Sequence, residues 1–204
     1  IRFAKELIND DNNIFLFARP GYFIRERGSS EEDRYSSGPR NAIKSTVVNY
    51  DWKNFQILAP ALQNLKKYYK PKKLILIGHS GGAYQGGTIH GKVPGLVDIN
   101  ILISCPCDWE IRKKLSNGKK WETKSQLKEL KKNSPSFNYK DIDLKSLNIL
   151  IVGKDDKNTA PGVSKYYYDL LKKKKLQVKL HIIDGGHGLR SMPTIGSIIK
   201  EYIN

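Results

Sequence analysis

Ser80 lies in "LILIGHSGGAYQGG" (residues 74–87), at the end of an apolar run and with glycine two residues before it and two after. Such a hydroxyl has two readings. It can cap a helix in a tight strand-to-helix turn, or it can be a nucleophile held at the top of a sheet. Gly78-His79-Ser80-Gly81-Gly82 fits the pattern G-x-S-x-G. A serine at the centre of that turn sits in strained backbone, with the strand behind and the helix ahead packed close. Glycines at both flanks then leave room where a Cβ would clash. The N–H of Gly81, at the helix N-terminus, would face an oxyanion developing on a substrate carbonyl.

A serine nucleophile needs a base, and the base needs an orienting carboxylate. The chain has four histidines. His79 is inside the turn and is expected to point away from Ser80. His90 falls in or after the following helix, and His181 inside a strand. His187, in "IIDGGHGLR", occupies a glycine-rich loop just after the last expected strand, where functional residues concentrate. For the acid, "ILIVGKDDKNTAP" ends a strand with Asp155 and Asp156, and Asp108 follows the preceding strand in "SCPCDWE". All three remain candidates on the residues alone. Asn158 or Thr159 can serve as the cap of a helix starting at Pro161. With Asp155 or Asp156 the chain order is Ser, Asp, His.

These residues need a scaffold that brings strand ends together. Five stretches read as strands: "NIFLFARPGY" (13–22), "KKLILIGHS" (72–80), "LVDINILISCP" (96–106), "LNILIVG" (147–153) and the alternating "QVKLHIID" (177–184), the last nearer a sheet edge. The second lacks alternation, as expected for a strand buried on both faces of a parallel sheet. Helical stretches fall at about 42–69, after Ser80, at 161–175 and at 190–203. A short one is expected at 1–9, and Pro60 should kink or divide the first long one. Residues 25–40 are polar and loop-like. The order β-α-β-α-β-(insert)-β-α-β-α predicts a single α/β domain over 1–204. It is a three-layer α/β/α sandwich with a mostly parallel sheet of about five strands, and 108–140 form a small helical cap. Ligands of such sheets sit at the carboxyl ends of the strands, where every candidate above lies.

At this point the chain resembles the α/β-hydrolase superfamily over essentially all of its length. "IFLFARPGYFIRERGSS" looks like that family's strand and loop ahead of the nucleophile helix. "LILIGHSGGA" looks like its elbow strand, "ILIVGKDDKNTAPGVSKYY" its acid strand and loop, and "LHIIDGGHGL" its histidine loop. The resemblance implies Ser80 as nucleophile, His187 as base and, from the G-x-x-D spacing after Gly153, Asp156 as acid. It also implies a second oxyanion N–H from an H-G loop after an early strand. Nothing of that form precedes "IFLFARPGY", so two expectations stand: this loop lies, with the first strands, ahead of Ile1, or the chain is a degenerate member.

The implied activity is a serine hydrolase acting on a carboxylic ester, or on an amide or short peptide, without metal or organic cofactor. A non-catalytic binding protein on the same fold and an acyltransferase are the alternatives. The formal charge is +16, from 28 Lys and 8 Arg against 20 acidic residues. The lysines are scattered, and Arg, the better partner for forked phosphate contacts, is scarce, so a solvated surface is expected rather than a specific nucleic-acid site. No apolar run reaches the ~18 residues of a membrane span, and no signal peptide is visible at the N-terminus. The expectation is a cytoplasmic location, or a secreted one if an N-terminal segment has been removed. Cys105 and Cys107 flank one proline and are expected as two thiols at a strand end.

Overall fold

A computed structural model describes Leu7 and residues 11–17, 23–24, 35–36, 50–116, 124–189 and 192–203. Two short strands, β1 (Phe23–Ile24) and β2 (Tyr35–Ser36), pair antiparallel. The main sheet has four parallel strands in chain order: β3 (Ile75–His79), β4 (Ile99–Ile103), β5 (Leu147–Gly153) and β6 (Gln177–Ile183). Ile75 aligns with Ile99, Ile99 with Leu147, and Leu147 with Gln177.

The apolar runs of β4 and β5 follow from burial on both faces, whereas β3, expected to be so buried, is half-buried as an outer strand of the described sheet. One face carries Ile99, Ile101, Ile103, Ile149 and Ile151, which pack with Ile195, Ile198 and Ile199 of α8 (Pro193–Ile203). The opposite face carries Leu102, Leu150 and Val178, packed with Ala83 of α3 (Gly81–Lys92) and Tyr167 and Leu171 of α7 (Pro161–Lys173). The result is helix, sheet, helix. Each fully buried Ile of β4 and β5 contributes about 2 kcal/mol from area removed from water. No described helix is long and apolar enough to cross a membrane.

The structure amends several expectations. Residues 12–17 form no strand: Phe15 sets its ring 5.2 Å from that of Tyr69 on α2 (Leu58–Tyr69). The described sheet therefore has four strands rather than about five. The helix ahead of β3 is divided at Gln56–Ile57 into α1 (Trp52–Phe55) and α2. Pro60 falls in the first turn of α2, where a missing N–H leaves no helix bond unmade. The expected helix at 1–9 and the rest of 25–40 lie outside the described residues, apart from Leu7 and Tyr35–Ser36.

Cys105 and Cys107 are joined as a disulfide and are fully buried, not two thiols. Ser104, with φ +48°, turns the chain as it leaves β4, and Pro106 completes the corner, so the two Cα atoms come within 5.1 Å. The expected cap region contains α4 (Trp109–Leu115), α5 (Lys124–Lys132) and α6 (Pro135–Asn138). Trp109 is buried in an aromatic cluster with Tyr50 and Tyr84 and serves packing there.

His90, on α3, is fully buried, and its Nε2 donates to the Ser146 hydroxyl at 3.1 Å. Burial pushes its pKa from the ordinary 6.5 down to about 4, against the opposing pull of the Asp143 and Asp98 charges. The unfolded chain takes up this proton at higher pH than the folded one does. Stability is therefore undiminished above pH 6.5 and falls as pH drops toward 4, by about 3 kcal/mol in all. Denaturant unfolding at pH 7.5 and 4.5 should show this loss, and His90→Gln should remove most of the difference; an unchanged difference would refute the assignment.

Candidate active site

Four strands end at one edge, and each delivers a loop to the same place. β3 ends in Ser80, whose φ of 53° and ψ of −117° lie outside the regions favoured by residues with a Cβ. Two features impose that turn. Ser80 N–H donates to the carbonyl of Ile103 on β4 at 2.8 Å, keeping the chain in the sheet, while α3 starts at the next residue. A Cβ on Gly78 would lie 2.5 Å from backbone atoms of Gly82 and Ala83, so only glycine permits this close return. The second glycine of the pattern behaves otherwise: a Cβ on Gly82 would meet nothing within 4 Å. Gly81, the first residue of α3, has no acceptor for its N–H inside the helix, so the group is available to an anion beside Ser80.

Ser80 Oγ lies 2.9 Å from His187 Nε2, and His187 Nδ1 lies 2.9 Å from Asp156 Oδ2 and 3.2 Å from Oδ1. Because the carboxylate only accepts, the imidazole carries its proton on Nδ1 and offers the Nε2 lone pair to the serine hydroxyl. Asp156 is almost completely buried. Burial by itself raises its carboxyl pKa, but hydrogen bonds from His187 and from the N–H and hydroxyl of Thr159 outweigh it, and the group is held well below the usual carboxylate range. The carboxylate thus stays ionised through neutral and mildly acid pH.

The loops that carry these groups are packed backbone on backbone. A Cβ on Gly153 would lie 2.2 Å from the Gly185 carbonyl, and Asp155 N–H donates to that same carbonyl at 3.1 Å. His79 does not simply turn away. Its Nε2–H donates to the backbone carbonyl of His187 at 2.8 Å, tying the serine strand to the histidine loop. α4 braces the acid loop from the other side. Arg112 lies over the Trp109 ring and donates to the backbone and side-chain oxygens of Asn158 at 3.0 and 2.6 Å, while Ala160 N–H donates to Ser116 Oγ at 3.0 Å.

The other two candidate acids are placed elsewhere. Asp155 is exposed. Asp108 caps α4 by accepting from Ile111 N–H at 2.8 Å, and its other oxygen accepts from the Ser136 hydroxyl at 2.6 Å. His181 pairs with the Tyr202 hydroxyl at 2.8 Å, away from the serine. Sequence reading missed the bracing by Arg112, Ser116 and His79. Their partners are backbone or polar atoms far along the chain, and no local pattern marks such pairs. Thr159 and Asn158 were legible as cap types, but the residue before α7 is Ala160, without a side-chain cap, and both N–H groups turn instead to Asp156.

A parallel sheet with serine after one strand, then aspartate and histidine after two later ones, defines the α/β-hydrolase class. Solved structures agree on the fold. The chain is similar to an acylaminoacyl peptidase of Pyrococcus horikoshii, with TM-score 0.63 and 19% identity over 73% of this chain and 27% of that one. It is similar to dipeptidyl peptidase 4 of Porphyromonas gingivalis, with TM-score 0.57 and 12% identity over 77% and 22%. A third is an acetyl xylan esterase from Paenibacillus sp. R4, with TM-score 0.59 and 12% identity over 74% and 52%. The chain thus spans about a quarter of the peptidases' length and about half of the esterase. A search of curated proteins gives no match. The family model of the prolyl oligopeptidase family, Peptidase S9, matches residues 10–201, and the chain belongs to that family.

Proposed function

We propose that this chain is the α/β-hydrolase unit of a serine hydrolase that cleaves an acyl bond, in a carboxylic ester or a peptide, through an acyl-enzyme on Ser80. The observation that carries this reading is the hydrogen-bonded path Ser80 Oγ to His187 Nε2, and His187 Nδ1 to Asp156, at 2.9 Å in each link. In the first half-reaction the Ser80 proton passes to Nε2 as Oγ bonds to the substrate carbonyl carbon. The carbonyl oxygen becomes an oxyanion facing the Gly81 N–H. Asp156 stabilises the imidazolium. His187 returns the proton to the departing alkoxide or amine, and the carbon–oxygen or carbon–nitrogen bond breaks. In the second half-reaction water gives its proton to Nε2, adds to the acyl carbon, and Ser80 leaves with that proton.

Membership of the prolyl oligopeptidase family supports peptide substrates, and the esterase among the similar structures supports esters; the chemistry at Ser80 serves both. A fluorophosphonate probe should label the protein stoichiometrically, with the label on the peptide containing Ser80 after digestion. A panel of p-nitrophenyl esters and peptide p-nitroanilides then sets the substrate class. Absence of labelling, or a label on another residue, would overturn the reading.

A further inference from the structure

We propose that Thr159 is a positioning residue for the reaction at Ser80, acting through a hydroxyl shared by the catalytic acid, the catalytic base and the corner at the end of β4. The inference rests on the serine hydrolase reading above. Thr159 Oγ1 lies 2.7 Å from Asp156 Oδ2, 3.1 Å from the Ser104 carbonyl and 3.2 Å from His187 Nδ1. Thr159 is 1% exposed, so these groups meet away from bulk water.

Proton counting assigns each contact. The hydroxyl has one proton. Its shorter acceptor is Asp156 Oδ2, and the Ser104 carbonyl is the second acceptor it can reach by rotation. His187 Nδ1 already donates to Oδ2, so the threonine oxygen presents a lone pair beside that N–H. Asp156 Oδ1 is held independently by the N–H groups of Asn158 and Thr159 at 2.9 and 2.8 Å. Those two bonds fix one oxygen. The Thr159 hydroxyl holds the other, Oδ2, from the same loop, beside the bond that Oδ2 accepts from His187.

Its own position is set from a distant part of the chain. Ser104 leaves β4 at φ +48°, its N–H donates to Ile151 at 2.8 Å, and the Cys105–Cys107 disulfide follows at once. The Ser104 carbonyl is therefore a rigid anchor for the threonine side chain. The carboxylate that orients His187 is thus aligned by two strand ends, β5 through the loop backbone and β4 through Thr159.

The test compares Thr159→Val, which keeps shape and N–H but deletes the hydroxyl, with Thr159→Ser, which keeps the hydroxyl. In Thr159→Val, kcat on the best substrate of the panel should fall about tenfold or more with KM unchanged, the loss expected when a charged group loses one buried donor. Fluorophosphonate labelling of Ser80 should slow by the same factor. The far-downfield Nδ1 proton resonance of His187 should shift or broaden, and Thr159→Ser should restore all three. If Thr159→Val does not fold, Thr159→Ala carries the same comparison. Labelling and kcat at the wild-type level, a change confined to KM, or a serine variant as slow as the valine variant would each overturn the proposal while leaving Ser80 chemistry standing. Failure of the wild-type protein to label at Ser80 would remove both.

Discussion

In Asp156→Asn, kcat falls about 10⁴-fold while the fold is retained, and Asp155→Asn stays close to wild type. The size follows from the donors around the carboxylate. Asn158 N–H and Thr159 N–H converge on Oδ1, and the Thr159 hydroxyl and His187 Nδ1–H converge on Oδ2. An amide has one acceptor oxygen. With that oxygen kept at the two backbone N–H groups, the NH2 replaces Oδ2 and faces His187 as a donor. The imidazole then takes the other tautomer, with its proton on Nε2, and has no lone pair for the Ser80 hydroxyl. The loss is that of a base in the wrong protonation form, on the scale known for serine triads. Asp155 projects into solvent, so its charge is screened. The check is steady-state kinetics of both variants beside Ser80→Ala, which should abolish turnover and labelling. A large loss in Asp155→Asn with Asp156→Asn nearly intact would reverse the assignment.

The second large effect is on folding. Gly78→Ala places a Cβ 2.5 Å from the nitrogen of Ala83 and from the carbonyl carbon and oxygen of Gly82, all backbone atoms. Relief requires moving β3 away from the start of α3, although Ser80 N–H is bonded to Ile103 and the strand is in register with β4. We expect a destabilisation of about 3 kcal/mol or more, at the upper end of overpacking costs, and a protein recovered largely unfolded or aggregated. Gly82→Ala, in open space within a helix, should instead be neutral or gain up to about 1 kcal/mol from helix propensity. Thermal melts of the two variants decide the point. Equal effects would mean that the turn is not held by the contact at Gly78.

The two glycines of "GHSGG" look equivalent in sequence, yet only one is sterically required. A spacing rule records that a strand and a helix approach closely; it does not say which Cα takes the contact. The same limit appears at the acid. The residues alone left Asp108, Asp155 and Asp156 open. The resemblance singled out Asp156, and the structure sets only that carboxylate beside His187. Asp108 looked suitable because it also follows a strand, but its own helix and Ser136 occupy its oxygens.

What the sequence by itself determined were the features written in local periodicity and chain order. These are the apolar runs of β3 to β5, the alternation of β6, the serine turn between β3 and α3, the α/β order, and the placing of Ser80, the Asp155–Asp156 pair and His187 after β3, β5 and β6. Each depends on neighbours within a few residues or on simple succession. The tertiary structure alone decided what depends on contacts between distant segments. It left residues 12–17 without strand pairing and joined Cys105 to Cys107 through the left-handed turn at Ser104. It set His79 against the His187 carbonyl, braced the acid loop with Arg112, and brought the Thr159 hydroxyl between Asp156 and the Ser104 carbonyl. The reason is physical: a buried polar group must find a partner wherever the fold places one, and that partner is chosen by packing in space.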